Sequence, residues 1–268
     1  MRSPRSDPLP PELVEALARV GPRLGPIASS ILFYHSTSST NDHALDVATE
    51  GAVVVADSQT AGRGRRGHSW FSPLGSGLYV SVVLAPGRAR VDAARATKLL
   101  TLGAGLAIAE GIESATGLNA DLKWPNDVYV GRRKLAGILA EACGSPANVV
   151  VVGYGINVQP AAYPPELRDR ATSVESELGR PVDRSLVLAE TLAAMASRYA
   201  DLLDGRYDAI LDAWKRRAPS AIGTRVSWTT AQTSMSGVTA GIDSDGALIV
   251  ETGGGTERII AGEVQWDA

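Results

Sequence analysis

Apolar positions at helical spacing open the chain at residues 11–20, and the GPRLGP run after them stops any helix there. From residue 31 the text alternates. A short apolar run at 31–35 predicts a strand. Ser39 or Thr40 is a suitable N-cap for a helix through Glu50, with Ala44, Leu45, Val47 and Ala48 on one face and Gly51 as its stop. The β-branched run 52–56 predicts a second strand. A glycine-rich loop at 59–77, a strand at 78–85 and an Ala/Leu-rich helix at 92–116 follow. Four short runs (120–124, 128–130, 135–142 and 148–154) are separated by PND, GRR and GSP, so antiparallel pairing is expected. Beyond a Pro-rich loop at 159–171, residues 183–203 and 207–218 return to helical spacing.

The character of the chain changes at 219–223. Past it only short runs remain (225–228, 237–242, 247–251 and 258–260), divided by SMSG, DSDG and TGGGT, which signal hairpin turns. The pattern therefore predicts a short N-terminal segment (1–30), an α+β domain (31–219) and a small β domain (220–268).

Composition narrows the class. The 268 residues are 44% hydrophobic and 21% charged, enough for one large or two ordinary globular domains. With 5% aromatics, the core has to come mainly from Ala, Val, Leu and Ile. No apolar run approaches the roughly 20 residues that cross a bilayer. The Pro-rich start lacks an export signal's apolar stretch, and a lone Cys143 excludes an intrachain disulfide and a cysteine-based zinc cluster, so a cytoplasmic protein with no membrane role is expected. The net charge of -3 gives no global attraction to nucleic acid. Lysines are scarce, and two of the 4, Lys123 and Lys134, fall close together.

Three segments carry candidate chemistry. In AGRGRRGHSW (61–70), Gly62, Gly64 and Gly67 superficially match phosphate-loop patterns. Those patterns need a helix to follow, whereas WFSPLGSG leads into a strand, and the Walker lysine is replaced by His68. What remains is a loop that brings Arg63, Arg65 and Arg66 onto a polyanion, or else a solvated basic loop or an RNA contact. In KWPNDVYVGRRKLAGILAE (123–141), Lys134 stands at the mouth of an apolar strand, where an ammonium is costly unless an anion meets it. Gly137 inside that strand suggests the close approach of a ligand or of another backbone, and Asp127 is either functional or a turn former. In VVGYGINV (151–158), Gly153, Gly155 and Asn157 suit a strand passed by a flat ligand, or a bulge.

Together SSTN (38–41), QTAGRGRRG (59–67), KWPND (123–127), KLAGIL (134–139) and GYGIN (153–157) resemble, in order and spacing, the biotin protein ligases without a DNA-binding domain. The resemblance implies a mixed sheet flanked by helices, related to class II aminoacyl-tRNA synthetases, with a small SH3-like β-barrel at the C-terminus. It implies that ATP and biotin, with Mg2+ accompanying the ATP, form biotinyl-5'-AMP, and that the biotinyl group passes to a lysine on the biotin carboxyl carrier domain of a carboxylase. A lipoate ligase of related fold is the nearest alternative. On the matching positions, Ser39, Thr40, Asn41 and Gln59, with the backbone from Gly62 through Gly64 to Arg65, would bind the ureido ring, and Gly153 and Gly155 would flank biotin. Lys134 would hold the carboxylate and act in catalysis with Arg63 and Lys123. Arg63, Arg65 and Arg66 would cover the phosphates, Trp70 would pack near adenine, and Lys123, Asn126, Asp127 and Asn157 would line the nucleotide and magnesium side. No dedicated metal ligands are expected. Two departures stand out: about thirty residues with one short helix cannot supply the winged helix of the repressor members, so no DNA partner is expected, and His68 stands where a Lys or Arg is common.

Overall fold

The computed structural model describes residues 6–143, 149–229, 233–260, 262 and 264–266. Its main sheet has seven strands: β1 (Ser30–Tyr34), β2 (Ala52–Ala56), β3 (Gly77–Leu84), β4 (Asp121–Lys123), β5 (Asp127–Val130), β6 (Arg133–Ala142) and β7 (Val150–Asn157). They lie in the order β1-β2-β3-β7-β6-β5-β4, parallel between β1 and β2 and antiparallel elsewhere, as the tight turns predict for β4 to β7.

Every residue of β2 and β3 is buried, which explains why both read as continuous apolar runs: both faces of the sheet are covered. On one face Val80, Val82 and Leu84 pack with helices α3 (Ala93–Thr116), α6 (Arg184–Leu203) and α7 (Tyr207–Arg216), and with α1 (Pro11–Val20). Asp92 caps α3 by accepting the Arg95 N–H at 2.9 Å, and Gly117 ends it at φ 79°. Gly111 permits the close α3–α6 contact, because a Cβ there would lie 2.4 Å from Thr191 Cα. The opposite face carries α2 (Thr40–Val47) and, beside it, the glycine-rich loop.

The structure corrects three expectations. Helix α2 stops at Val47, before Glu50, because Ala48 turns left-handed at φ 44°. The chain must then pass Pro26, whose carbonyl oxygen lies 2.0 Å from where a Cβ on Gly51 would sit. The loop expected at 159–171 contains α4 (Pro165–Arg168), followed by α5 (Val174–Leu178). SMSG is not a turn: it forms the start of β9 (Ser234–Ile242), with Ser234 and Ser236 exposed on its outer face. Residues 264–266, past the last run named from the sequence, form an additional strand, β12 (Val264–Trp266). The GSP turn and Asn148 lie outside the described residues.

Strands β8 (Ile222–Thr229), β9, β10 (Leu248–Thr252), β11 (Gly255–Ile259) and β12 make an antiparallel sheet ordered β11-β10-β9-β8-β12. The DSDG turn attaches this sheet to the helical layer. Asp243 accepts the N–H groups of Asp245 and Ala247, both at 2.9 Å, and Gly246 fits against Leu99 and Leu102 at φ 80°. Trp124 Nε1 donates to the Gly246 carbonyl at 2.9 Å, Arg95 Nε to that of Ser244 at 2.9 Å, and Lys98 pairs with Asp245 at 2.9 Å. These contacts bring β12 to the edge of the main sheet, beside β4.

Candidate active site

A cavity of about 680 Å³ opens on the α2 side of the sheet, and every site residue named from the sequence lines it except Gly62. Gly62 belongs to the loop itself, where a Cβ would strike the Trp70 carbonyl and the Ser72 hydroxyl at 2.7 Å. The cavity floor is made by glycines. A Cβ on Gly153 would lie 2.0 Å from Asn41 Oδ1, and one on Gly155 2.2 Å from Trp70 Nε1. A Cβ on Gly137 would lie 2.9 Å from Trp70 Cζ3.

One end is neutral. The Gln59 side-chain oxygen accepts the Thr40 backbone N–H at 2.9 Å and the Thr40 hydroxyl at 3.2 Å, while its amide donates to Ser72 Oγ at 3.0 Å. Ser81, in the middle of β3 and fully buried, stands 2.8 Å from Thr40 Oγ1 and 2.5 Å from Asn41 Oδ1. The Asn41 amide donates to Glu141 at 2.5 Å. Neither Ser81 nor Glu141 was singled out from the sequence. A lone Ser amid the apolar β3 run was the available signal.

The other end is cationic. A register shift between Val128 and Tyr129, opposite Leu135 of β6, lets Lys134 and Gly137 reach the same cavity although their numbers differ in parity. Lys134 Nζ lies 2.6 Å from Asp127 Oδ1 and 5.4 Å from the Trp70 ring centre. Its backbone bonds the 170–172 segment through Arg170 O and Thr172 N. Asn157 braces that segment, donating to the Thr172 carbonyl at 2.9 Å, so its amide is already engaged with backbone. Asn126 accepts from Arg65 at 3.1 Å and donates to the Ile138 carbonyl at 2.8 Å.

Lys123 does not face Lys134 across one hairpin. Strand β5 lies between them, with Asp127 opposite Lys123 in the β4–β5 register. Burial lowers the proton affinity of Lys123 below the ordinary lysine value; Asp127 opposes the shift, and the Lys134, Arg170 and Arg132 charges reinforce it. Tyr129, beside it, is pushed up to about 12 by burial and by Asp127. Arg170 and Trp266 also line this end and were missed. Both are brought in by segments outside the strands and helices named from the sequence.

The glycine-arginine loop is followed by β3, not a helix, as its sequence requires. Arg63 and Arg65 find partners without a ligand anion. Arg63 pairs with Asp42 at 2.7 Å and Glu141 at 3.1 Å, and the loop closes on itself through Gly64 N–H to the His68 carbonyl at 2.7 Å and Trp70 N–H to that of Gly62 at 2.8 Å. Among the described residues no group of three or more His, Cys, Asp or Glu could hold a metal, and no helix is long and apolar enough to cross a membrane.

Residues 33–157 match the biotin/lipoate A/B protein ligase family, and residues 221–266 match the biotin protein ligase C-terminal domain. The chain is 35% identical over 264 residues to the bifunctional ligase/repressor BirA of Bacillus subtilis, covering 96% of this chain and 80% of the relative. It is 37% identical over 244 residues to the biotin--[acetyl-CoA-carboxylase] ligase of Paracoccus denitrificans, covering 85% and 97%. The biotin protein ligase of Aquifex aeolicus, solved with biotin and ATP, aligns with a TM-score of 0.78 and 28% identity over 89% of this chain and 99% of that one.

Proposed function

The chain belongs to the biotin protein ligase family, and from that premise we propose which residues carry ATP-dependent activation of biotin and its transfer to a carrier lysine. A biotin carboxylate oxygen bonds to the α-phosphorus of ATP while the bond to pyrophosphate breaks. The amine of the carrier lysine then bonds to the biotinyl carbonyl carbon, and AMP leaves. Carboxylate and triphosphate are both anions, so fixed positive charge has to offset their repulsion and the charge that grows in the transition state.

The observation that carries the assignment is the polarity of the cavity. Thr40, Asn41 and Gln59, the first two braced from behind by Ser81, offer neutral donors and acceptors suited to a ureido ring, and Lys134, Lys123, Arg65 and Arg170 offer charge suited to carboxylate and phosphates. Ser81 on β3 and Lys123 on β4 are four strand spacings apart, on the order of 19 Å across the sheet. A molecule laid across the sheet, over the Trp70 and Asn41 side chains that the glycines admit, joins the two ends. Lys134 meets the biotin carboxylate and α-phosphate, Arg65 and Arg66 close over the phosphates, and Trp70 shields the mixed anhydride from water. Arg63, held by two carboxylates, orders the loop rather than binding phosphate. Mg2+ arrives with ATP as part of the substrate, and Asp127 is the carboxylate placed to meet it.

The acceptor in this reading is the carrier domain of a biotin-dependent carboxylase, and the reaction belongs to the cytoplasm, with no role for DNA or a membrane. The chain divides into an N-terminal segment (1–30), a catalytic domain (31–219) and a C-terminal domain (220–268). Curated relatives are biotin ligases and a biotin ligase C-terminal domain is matched, which favours biotin over lipoate. Purified protein given ATP, labelled biotin and a carrier domain should label the carrier and, without it, catalyse biotin-dependent exchange of pyrophosphate into ATP. Exchange driven by lipoate and not by biotin would overturn the reading.

A further inference from the structure

We propose that Trp266, on the last strand of the C-terminal sheet, is a positioning residue for adenylation: with Tyr129 it holds the Lys123 ammonium between two aromatic faces and aims it at the phosphates of ATP. The inference rests on the ligase reading above and extends it to a residue outside the catalytic sheet.

Lys123 Nζ stands 4.7 Å from the centre of the Tyr129 ring and 5.3 Å from that of Trp266, within the range of cation–π attraction. No carboxylate forms an ion pair with Lys123 among the described residues, and the nearest candidate, Asp127, is 2.6 Å from Lys134. The ring faces therefore fix the ammonium sideways and leave its N–H donors for a ligand. A carboxylate in their place would neutralise the charge and compete with phosphate. Burial, with Lys134, Arg170 and Arg132 nearby, makes the unliganded ammonium costly, as expected of a cation that awaits an anion.

Trp266 has a defined anchor. It pairs with Val226 of β8, which is fully buried, and β8 belongs to the sheet whose DSDG turn is attached to α3 and Trp124. Trp124 directly follows Lys123 in the chain, so the C-terminal sheet grips both the residue after Lys123 and the ammonium itself. Loss of the Trp266 ring frees the lysine stem, whose rotamer entropy must then be lost when ATP binds.

Full-length variants test this by binding of α,β-methylene-ATP, which cannot form the adenylate, and by biotin-dependent pyrophosphate exchange. Trp266→Ala should weaken the analogue and raise KM for ATP by about 2- to 30-fold, with KM for biotin unchanged. Trp266→Phe, which keeps an aromatic face, should recover most of the loss. In a Lys123→Met background, Trp266→Ala should have no further effect on analogue binding. Equal effects of Trp266→Ala with and without the lysine, or parallel losses for biotin and ATP together with a lowered melting temperature in both Trp266 variants, would overturn the proposal. Wild-type protein without biotin-dependent exchange would instead remove the ligase reading on which it stands.

Discussion

The two ends of the cavity solve opposite problems. At the neutral end Thr40, Asn41 and Ser81 are buried, and their side chains bond to one another, to Gln59 and to Glu141. At the cationic end Asp127 is paired with Lys134, while Arg170 has no ion pair among the described residues. A neutral ring is recognised by dipoles that exchange one satisfied partner for another, so the free protein can bury them at little cost. Anions are recognised by charge left unbalanced until they arrive, so the free protein must keep that end open and partly solvated. Mutations at the two ends should accordingly separate biotin affinity from nucleotide affinity and rate.

The largest effect should come from Lys134→Ala. In the proposed reaction its ammonium meets the carboxylate and the α-phosphate, and charge-assisted stabilisation in such a site is worth about 2 to 4 kcal/mol, or roughly 30- to 1000-fold in rate. Stability should change little. The Lys134 and Asp127 side chains are 30% and 21% exposed, and a partly solvated pair contributes about 0 to 1 kcal/mol. Pyrophosphate exchange at saturating biotin, with a thermal melt as control, measures both; exchange within about threefold of wild type would remove Lys134 from the adenylation step.

Most of this architecture was legible because it rests on local rules. Seven strands and the long helices follow from runs of Val, Ile and Leu and from caps such as Asp92 and Gly117. What escaped depends on tertiary placement. The bulge at Leu135 reverses the facing of Lys134, and no period shows it. Glu141 looks like one more polar residue until β6 is set beside α2 and the loop. Arg170 and Trp266 lie in segments with weak propensity, α4 to α5 and the three-residue β12, which are ordered by pairing with Lys134 and with β8. Arg63 shows the same dependence: its charge signals an anion, and without a ligand Asp42 and Glu141 supply one from within the fold.

At the neutral end Ser81→Ala should be the sharper break. It removes a fully buried hydroxyl and leaves Thr40 and Asn41 each short of a partner. An unsatisfied buried group costs about 1 to 3 kcal/mol, or roughly 5- to 150-fold in affinity if the lost order falls on the ureido site. The expected signature is a raised KM for biotin at unchanged KM for ATP, with a melting temperature lower by about 2 to 4 °C per kcal/mol. A rise in KM for ATP alone would show that the two ends are not separate.

The smallest effect is a displaced pH limb, and it concerns Lys123. Burial lowers its proton affinity, helped by Lys134, Arg170 and Arg132 and opposed by Asp127, so the folded value lies below the ordinary 10.5. Because the folded value is the lower one, stability from this group is present above the unfolded value and lost as pH falls through the folded value. Protonated Lys123 thus slightly disfavours the empty protein and, in the proposed reading, favours the nucleotide complex. ATP binding should draw protons onto it, and kcat/KM for ATP should fall on the alkaline side before an ordinary lysine would titrate. Tyr129, pushed up to about 12, titrates too late to produce that limb. Lys123→Arg keeps its charge throughout and should move the limb to higher pH, even if the guanidinium fits less well between the rings of Tyr129 and Trp266. A limb with the same midpoint in both proteins would assign the titration to another group and remove Lys123 from the nucleotide end.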